Sequence, residues 1–291
     1  MVRTLRAYLA LTKPRILELL LVTTIPVMVF AADGWPDLFL LAAVLLGGAL
    51  SAGSAGAFNM YLERESDALM ERTAQRPLVT GIISPRAALT FAWSLAVASV
   101  IWMLATVGPV PAALSTAGLV LYVVLYTLVL KRRTEQNVVW GGIAGCVPVL
   151  VGWTAERGVI EWPAVVLFLV VFFWTPAHYW PLSITYRDDY RRAGVPMLGA
   201  TREPGYVALR VIGYAWATVA CSLVLPLVAE VSWLYPAVAV GAGAGFLFSA
   251  HRLRVRDRRG CELRPMLVFR ASIVYLAVLF LAVGVDPFLR S

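Results

Sequence analysis

The chain has 291 residues, of which 60% are hydrophobic and 14% are charged. Because soluble domains carry about 25% charged residues, this composition excludes an ordinary soluble protein. The formal net charge of +8 does not indicate nucleic-acid binding either, since the basic residues are confined to the segments between long apolar runs. No nucleic acid is therefore expected among the partners.

Apolar runs recur along the whole chain and predict nine transmembrane helices, each near the roughly 20 residues that cross a bilayer. The runs are continuous, whereas a membrane-spanning strand would alternate with a period of two. In chain order the helices are predicted at Ile16–Ala32, Pro36–Asn59, Arg86–Val107, Val110–Leu130, Val138–Thr154, Trp162–Ile184, Tyr206–Ala229, Val231–His251 and Leu267–Val285. The expected fold is an all-α membrane protein, with residues 1–291 forming a single polytopic domain embedded in membrane lipid.

The basic residues predict the orientation of these helices. When the loops are assigned alternately to the two sides of the membrane, 23 of the 25 Lys and Arg residues fall on one side. Only Arg157 and Arg290 fall on the other. By the positive-inside rule the N-terminus is cytoplasmic and, after nine crossings, the C-terminus lies outside. The first helix is preceded by neither a cleavage site nor a transit segment, so we expect a prokaryotic plasma (inner) membrane.

The strongest candidate site is the pattern Asn59-x3-Glu63-x3-Asp67 at the end of the second predicted helix. Positions four apart on a helix differ by about 40° in direction and 6 Å in rise, so the three side chains share one face. Such hard oxygen ligands suit Mg²⁺, which binds through one or two carboxylates together with substrate phosphates. Arg72 and Arg76 follow, and guanidinium groups match phosphate geometry. The alternative is a set of solvated ion pairs at a helix end.

A second acidic pair, Asp188 and Asp189, ends the sixth predicted helix and is followed by Arg191 and Arg192. It could supply a further metal site facing the first, or it could be a basic loop with incidental acids. The similar position of the two acidic motifs, four helices apart, predicts pseudo-repeat halves at roughly 10–130 and 131–251. The final helix, 267–285, would follow them as an appended element.

Two further groups complete the candidate residues. The basic run Lys131, Arg132 and Arg133 precedes the fifth predicted helix and either binds a diphosphate or only sets topology. His178 lies in the sixth helix between Pro176 and Pro181. These prolines are expected to break or kink that helix and to aim His178 and Trp180 into a cavity. The alternative for His178 is a hydrogen-bonded core residue.

At these positions the sequence resembles the protohaem IX farnesyltransferase (haem O synthase) branch of the intramembrane UbiA-type prenyltransferase superfamily. Within it, WTP-x-H, DY-x3-G-x-PML and KR-x-T-x2-N are specific to the haem-modifying branch. The resemblance covers nearly the whole chain and is carried by Leu11–Ile16, Asn59–Leu78, Tyr126–Asn137, Gly141–Trp153, Trp174–Trp180, Asp188–Leu198 and Ala271–Phe280. The sequence departs from the branch at Glu63, where Asp is common, at Ala177, where Pro is usual, and in the adjacency of Asp188 and Asp189.

The resemblance implies nine helices around a central cavity and Mg²⁺-dependent transfer of a farnesyl group from farnesyl diphosphate to a vinyl group of haem b. Water addition would then give haem O for haem-copper oxidases. Haem A synthase or oxidase assembly proteins would be partners. The implied roles are catalytic and metal-binding for Asn59, Glu63, Asp67 and Asp189, metal-binding also for Asp188, diphosphate-binding for Arg72, Arg76, Lys131 and Arg132, and haem-pocket for His178 and Trp180.

Two other functions stay open from the residues. A related UbiA-type prenyltransferase acting on an aromatic or quinone-precursor acceptor would share the first acidic motif. A haem carrier without catalysis would account for the helices and His178, but not for two acidic-basic clusters at equivalent helix ends. The active site of either enzyme would lie on the cytoplasmic side.

Overall fold

A computed structural model describes the backbone of residues 2–290 and the side chains of residues 3–14 and 23–290. In this part of the chain every regular element is a helix. The elements are α1 Val2–Leu11, α2 Pro14–Ala32, α3 Leu38–Asp67, α4 Pro85–Thr106, α5 Pro109–Val120, a π-helix Leu121–Leu130, α6 Asn137–Gly141, α7 Ile143–Arg157, α8 Trp162–Thr185, α9 Arg187–Arg192, α10 Leu198–Thr201, α11 Pro204–Ser222, α12 Leu225–Val228, α13 Leu234–Arg258, α14 Pro265–Val285 and a 3₁₀ turn Asp286–Leu289.

Eight helices in the described residues are long and apolar enough to cross a membrane, which confirms the all-α membrane class. They span Leu38–Asp67, Pro85–Thr106, Pro109–Leu130, Asn137–Arg157, Trp162–Thr185, Pro204–Val228, Leu234–Arg258 and Pro265–Leu289. The first predicted helix, Ile16–Ala32, coincides with α2. The side chains of residues 15–22 lie outside the description, however, so the count of nine stays a prediction.

Proline and short polar side chains begin many of these helices. Pro85, Pro109 and Pro204 each occupy the first turn, where the missing N–H has no intrahelical partner to lose. Ser84 caps α4 by accepting a hydrogen bond from Ala87 N at 3.2 Å. Asp37 caps α3 in the same way through Leu40 N at 2.8 Å. The ends that set helix positions are therefore encoded locally.

Several predicted boundaries were wrong. The second predicted helix continues as α3 from Asn59 to Asp67, and the eighth continues as α13 to Arg258, because charged turns remain helical beyond the apolar stretch that hydropathy detects. The fourth changes to π geometry at Leu121, the fifth is interrupted at Gly142, and the seventh ends as α11 before the short α12. The sixth, α8, is not broken by its prolines.

The long helices form a closed succession of neighbours. Each of α2, α3, α4, α5, α7, α8, α11, α13 and α14 packs against the next, and α14 returns to contact both α2 and α8. Small residues allow α3 and α4 to approach closely, as Ser54 and Ser99 donate across the interface to Ala92 O and Gly47 O, both at 2.8 Å. The C-terminal end of α3 lies beside the π-helix, which it contacts through Asn59 and Thr127.

Candidate active site

The three oxygen-bearing side chains of the first motif lie in the last turns of α3 and are buried. Asn59 is 0% exposed, Glu63 5% and Asp67 1%. Apolar surroundings make an isolated carboxylate unfavourable, so a buried charge is normally paired. Each of the three side chains indeed meets a basic group from another part of the chain.

Those basic groups come from three separate segments. Asn59 Oδ1 accepts a hydrogen bond from Lys13 Nζ, in the corner between α1 and α2. Glu63 forms a salt bridge with Lys131, the residue that follows the π-helix. Asp67 pairs with Arg76 in the segment after α3. The sequence prediction of acidic and basic side chains at one helix end is therefore matched by a compact cluster with a cation for each oxygen ligand.

One carboxylate oxygen in this cluster has no partner. Asp67 Oδ1 is buried without a hydrogen bond, although the backbone carbonyl of the same residue accepts from Thr73 Oγ1 at 2.7 Å. Among the described residues, no three His, Cys, Asp or Glu side chains converge as a metal cluster. The available donors are thus one amide and two carboxylates, with an unshared oxygen. This set fits Mg²⁺, which completes its shell with substrate phosphates and water.

The second acidic motif is split by the structure. Asp189 is 8% exposed and bonded to Arg192, whereas the side chain of Asp188 is 82% exposed and lies 3.9 Å from Arg191. Both belong to the short α9 rather than to the end of the sixth predicted helix, because α8 stops at Thr185. Only Asp189 points into the protein, so the structure does not bring Asp188 to the cluster.

The two motifs meet across the end of the bundle. Arg192 also contacts Glu71 Oε1 at 3.2 Å, and the Arg72 guanidinium lies over the Tyr186 ring, 5.6 Å from its centroid. Tyr190 is buried beside them; burial, and then the hydroxyl of Tyr179, raises the pKa of Tyr190. Its phenol therefore stays neutral. The segment after α3 is therefore held against α9, and Arg192 contacts both Glu71 of this segment and Asp189.

A π-helix supplies the third side of the site. Thr127 accepts a hydrogen bond from Asn59 Nδ2 at 3.1 Å and donates to Tyr122 O at 2.9 Å. Just beyond the π-helix, Arg132 donates to Ser66 Oγ at 3.2 Å. Because π-helices occur frequently at functional sites, this segment is more than a connection. Thr127 and Ser66 were not among the residues singled out from the sequence, since a lone hydroxyl in an apolar helix carries no signal.

Lys13 is the most important residue that sequence analysis missed. It is not among the site residues predicted from the sequence, yet its side chain donates a hydrogen bond to Asn59 of α3. Its backbone is left-handed, with φ 52°. Burial, followed by the positive charge of Arg76, lowers the pKa of Lys13 to about 7. An approaching anion would therefore favour protonation of this side chain.

Comparison with known proteins identifies the family of this chain. A profile of the UbiA prenyltransferase family matches residues 20–283. The chain belongs to the UbiA prenyltransferase family. It is 55% identical over 287 residues to the protohaem IX farnesyltransferase of Clavibacter michiganensis subsp. michiganensis (strain NCPPB 382), covering 99% of this chain and 94% of that protein. Membership makes it an enzyme of prenyl transfer.

Solved structures of low identity share the fold. A digeranylgeranylglyceryl phosphate synthase in membranes superposes with a TM-score of 0.80 at 15% identity, covering 98% of this chain and 99% of the other. A UbiA homologue from Archaeoglobus fulgidus, bound to DMAPP and Mg²⁺, gives a TM-score of 0.68 at 17% identity, covering 96% and 99%. The UbiA fold is thus shown, and the Archaeoglobus fulgidus homologue holds Mg²⁺ within this fold.

In this UbiA-family protein, His178 lies apart from the charged cluster, at the contact between α8 and α14. Its ring is stacked between Trp174 and Phe269, with centroid distances of 4.2 and 4.4 Å. The Ser272 hydroxyl donates its only proton to Phe269 O at 2.7 Å, so it accepts from His178 Nδ1 at 2.8 Å. This places the proton on Nδ1 and leaves Nε2 with a lone pair.

Trp180, the second predicted haem-pocket residue, has different surroundings from His178. Trp180 is 1% exposed and its ring meets Tyr214 of α11 edge-on, at a centroid distance of 5.2 Å. Its Nε1 is buried without a hydrogen-bond partner. The structure therefore does not bring His178 and Trp180 to one contact, although both lie in the same two turns of α8.

Proposed function

We propose that this chain transfers the farnesyl group of farnesyl diphosphate to a vinyl group of haem b, with addition of water, to give haem O. The observation that carries the proposal is the convergence of three oxygen ligands on α3 with basic groups from separate segments. This arrangement suits a metal-bound diphosphate. The acceptor is supported by the protohaem IX farnesyltransferase that is 55% identical over nearly the full length.

Asn59, Glu63 and Asp67 would hold Mg²⁺, and Asp189 is the candidate ligand from the second motif. The ion supplies stabilisation for the negative charge that develops on the leaving diphosphate. Lys131 and Arg76 contact the two α3 carboxylates, so each would lie beside a diphosphate whose metal is held by those carboxylates. Arg72 and Arg132 extend the basic surface on either side of them.

The reaction breaks the bond between the allylic carbon and the diphosphate oxygen, and the electron pair leaves with the diphosphate. The π electrons of the haem vinyl group form the new carbon–carbon bond. Water then captures the cation next to the macrocycle and loses a proton. No protein nucleophile is required. The apolar helices around the site would exclude water from the first, allylic cation.

We place the haem acceptor beside His178. Its Nδ1 proton is committed to Ser272, and its Nε2 carries the lone pair with which a neutral imidazole ligates iron. A haem held in this way would have fixed orientation, since the imidazole itself is stacked between two aromatic rings. Trp180 would contribute to the same pocket only indirectly, through its packing in the buried core.

We further propose nine membrane crossings around a central cavity, with the N-terminus and the active site on the cytoplasmic side of a prokaryotic plasma membrane and the C-terminus outside. Arg157 ends α7 and Arg290 follows α14, so both exceptions to the charge bias lie at the end of the bundle opposite the site. Pseudo-repeat halves at 10–130 and 131–251 agree with this arrangement. Haem A synthase or oxidase assembly proteins would receive the product.

The test uses the purified full chain in lipid nanodiscs with haem b, farnesyl diphosphate and Mg²⁺, followed by mass spectrometry of the porphyrin. The expected product is heavier than haem b by a farnesyl group and a hydroxyl group, and its formation stops when the metal is chelated. Prenylation of an aromatic acceptor in place of haem would contradict the proposed acceptor. Haem binding without any product would instead identify a carrier.

A further inference from the structure

The corner between α1 and α2 is built to hold Lys13 over α3. The preceding residues seat on α3 at a glycine: a Cβ atom added to Gly56 would lie 2.9 Å from Leu11 O and 3.1 Å from Thr12 O. Only a glycine at position 56 allows the corner to approach α3 so closely. Leu11 itself is fully buried, so the corner cannot lift away without exposing it.

A second contact fixes α1 from its other side. The Tyr8 ring packs edge-on against Phe91 of α4, at a centroid distance of 5.0 Å. The arginines of α1 have a different environment, because Arg3 and Arg6 are exposed. Of the basic residues described in this N-terminal segment, Lys13 is thus directed into the charged cluster while the others face outward.

The backbone of Lys13 has a conformation that favours glycine. Lys13 adopts φ 52° and ψ 66° at the C-terminal end of α1, a position usually taken by glycine because other residues are strained there. The following Pro14 restricts this residue further. A glycine would satisfy the turn with less strain, so a lysine at this position needs another reason.

That reason is at the tip of the side chain. The ammonium donates to Asn59 Oδ1, and the charges of Arg76, Glu63, Lys131 and Asp67 all act on it. It therefore lies inside the same cluster as the residues proposed to bind metal and diphosphate, approaching from a segment that none of those residues occupies.

We propose that Lys13 is a further substrate-binding residue, which contacts the diphosphate of the prenyl donor and is positioned by the Gly56 seat. This inference rests on the proposed function, whose diphosphate site it extends. As a compact ammonium on a flexible stem, Lys13 can reach a diphosphate oxygen from Asn59 by rotation of the stem alone. The corner between α1 and α2 is then part of the active site.

The experiment compares binding of inorganic diphosphate with Mg²⁺ to the full chain by isothermal titration, without any acceptor. Lys13→Gly removes the ammonium and suits the left-handed backbone, whereas Lys13→Met keeps the unbranched stem. Lys13→Arg keeps the charge, and Arg6→Met is the matched control for loss of one positive charge from α1. We expect Lys13→Gly and Lys13→Met to weaken binding at least tenfold. Lys13→Arg should stay within about threefold of wild type, and Arg6→Met within about twofold.

Stability separates substrate binding from a structural role. If Lys13 only holds the corner between α1 and α2 in place, Lys13→Gly should bind diphosphate as wild type does. Binding by Lys13→Gly and Lys13→Met within twofold of wild type would overturn the inference. A weakened Lys13→Gly variant that unfolds at or above the wild-type temperature supports it. A wild-type chain that binds diphosphate but forms no haem product contradicts the proposed acceptor alone.

Discussion

Two buried aspartates at opposite ends of the bundle have different surroundings. Asp286, after α14, is 0% exposed and has both carboxylate oxygens bonded. Its Oδ1 accepts from Ser232 N at 2.8 Å and from Ser232 Oγ at 2.7 Å, and its Oδ2 accepts from Arg290 Nε at 2.8 Å. Asp67 is 1% exposed, but only its Oδ2 is paired, with Arg76, and its Oδ1 has no partner.

The difference separates a structural carboxylate from the proposed metal ligand. Asp286 joins the connection before α13 to the end of the chain, and Arg290 extends the link to Asp33 at 2.9 Å. A buried acceptor without a partner is unfavourable by about 1–3 kcal/mol. Asp67 is therefore less well satisfied than a residue selected only for stability, which is expected where a metal or substrate completes the bonding.

The largest expected effect is on activity at Asp67. In Asp67→Asn the new amide oxygen can still accept from Arg76, while the amide nitrogen replaces the unshared oxygen and cannot ligate a metal. We expect kcat for prenyl transfer to fall by roughly a hundredfold or more, with a smaller loss of stability than in the matched change at Asp286. Quantifying haem O by mass spectrometry, with unfolding followed in the same detergent, checks both parts. Activity near that of wild type would remove Asp67 from the metal site.

The matched change at the other end should affect stability instead. In Asp286→Asn the amide nitrogen must face either the Ser232 donors or the Arg290 guanidinium, so one of these buried donors loses its acceptor. The free energy of unfolding should fall by about 2–4 kcal/mol. Activity per folded molecule should remain within about twofold of wild type. If instead Asp286→Asn lowered kcat in fully folded protein, the distinction between the two ends would not hold.

The shared face of Asn59, Glu63 and Asp67 on α3 could be predicted because it depends only on helical periodicity. Asn59, Glu63 and Asp67 are four residues apart, and the structure places them together as expected. Which cation meets each of them could not be predicted, because Lys131 and Arg76 arrive from segments whose paths depend on tertiary packing. Spacing in the sequence also could not distinguish Asp189 from its neighbour Asp188, since a one-residue step on α9 decides between burial and exposure.

The π-helix and Lys13 show a different limit of prediction from the sequence. The run Leu121–Leu130 is mostly apolar, with Thr127 its one short polar residue, so nothing in its composition distinguishes π from α geometry. Lys13 stands in a basic N-terminal segment, where topology alone explains a positive charge. The hydrogen bond to Asn59, the seat at Gly56 and the left-handed backbone, on which the proposed role of Lys13 rests, appear only in the structure.

The comparison can be sharpened at His178, whose Nδ1 is hydrogen-bonded to the Ser272 hydroxyl at 2.8 Å. Ser272→Ala removes the acceptor that keeps the proton on Nδ1, so the imidazole can adopt the tautomer with a protonated Nε2. We expect haem affinity to fall by roughly tenfold and the Soret band to shift, both measured by titration of haem b. The variant Ser249→Ala, in an exposed hydroxyl of α13, is the control. An unchanged Soret band in Ser272→Ala would show that His178 does not ligate iron.

Glu135 lies near the site, yet its carboxylate is fully hydrogen-bonded like that of Asp286. It therefore tests whether hydrogen bonding or position decides if a carboxylate takes part in the reaction. Its carboxylate accepts from Arg202 Nε at 2.8 Å and Nη2 at 3.0 Å, and also from Thr201. Both partners of this bridge are partly exposed, so Glu135→Gln should lower the free energy of unfolding by only about 0.5–1 kcal/mol at neutral pH. Activity should be unchanged.

The pH dependence of this small effect follows from the same contacts. The hydrogen bond from Arg202, and then its charge, lowers the pKa of Glu135 in the folded protein below the ordinary value of 4.5. The stabilisation is therefore fully present above pH 4.5 and is lost as the pH falls through the lowered pKa. Wild type and Glu135→Gln should differ in unfolding temperature at pH 7 and converge in acid. A difference that persists unchanged in acid would show that the ionised Glu135 carboxylate is not its cause. A loss of prenyl transfer would mean that a fully bonded carboxylate at this end also serves the reaction.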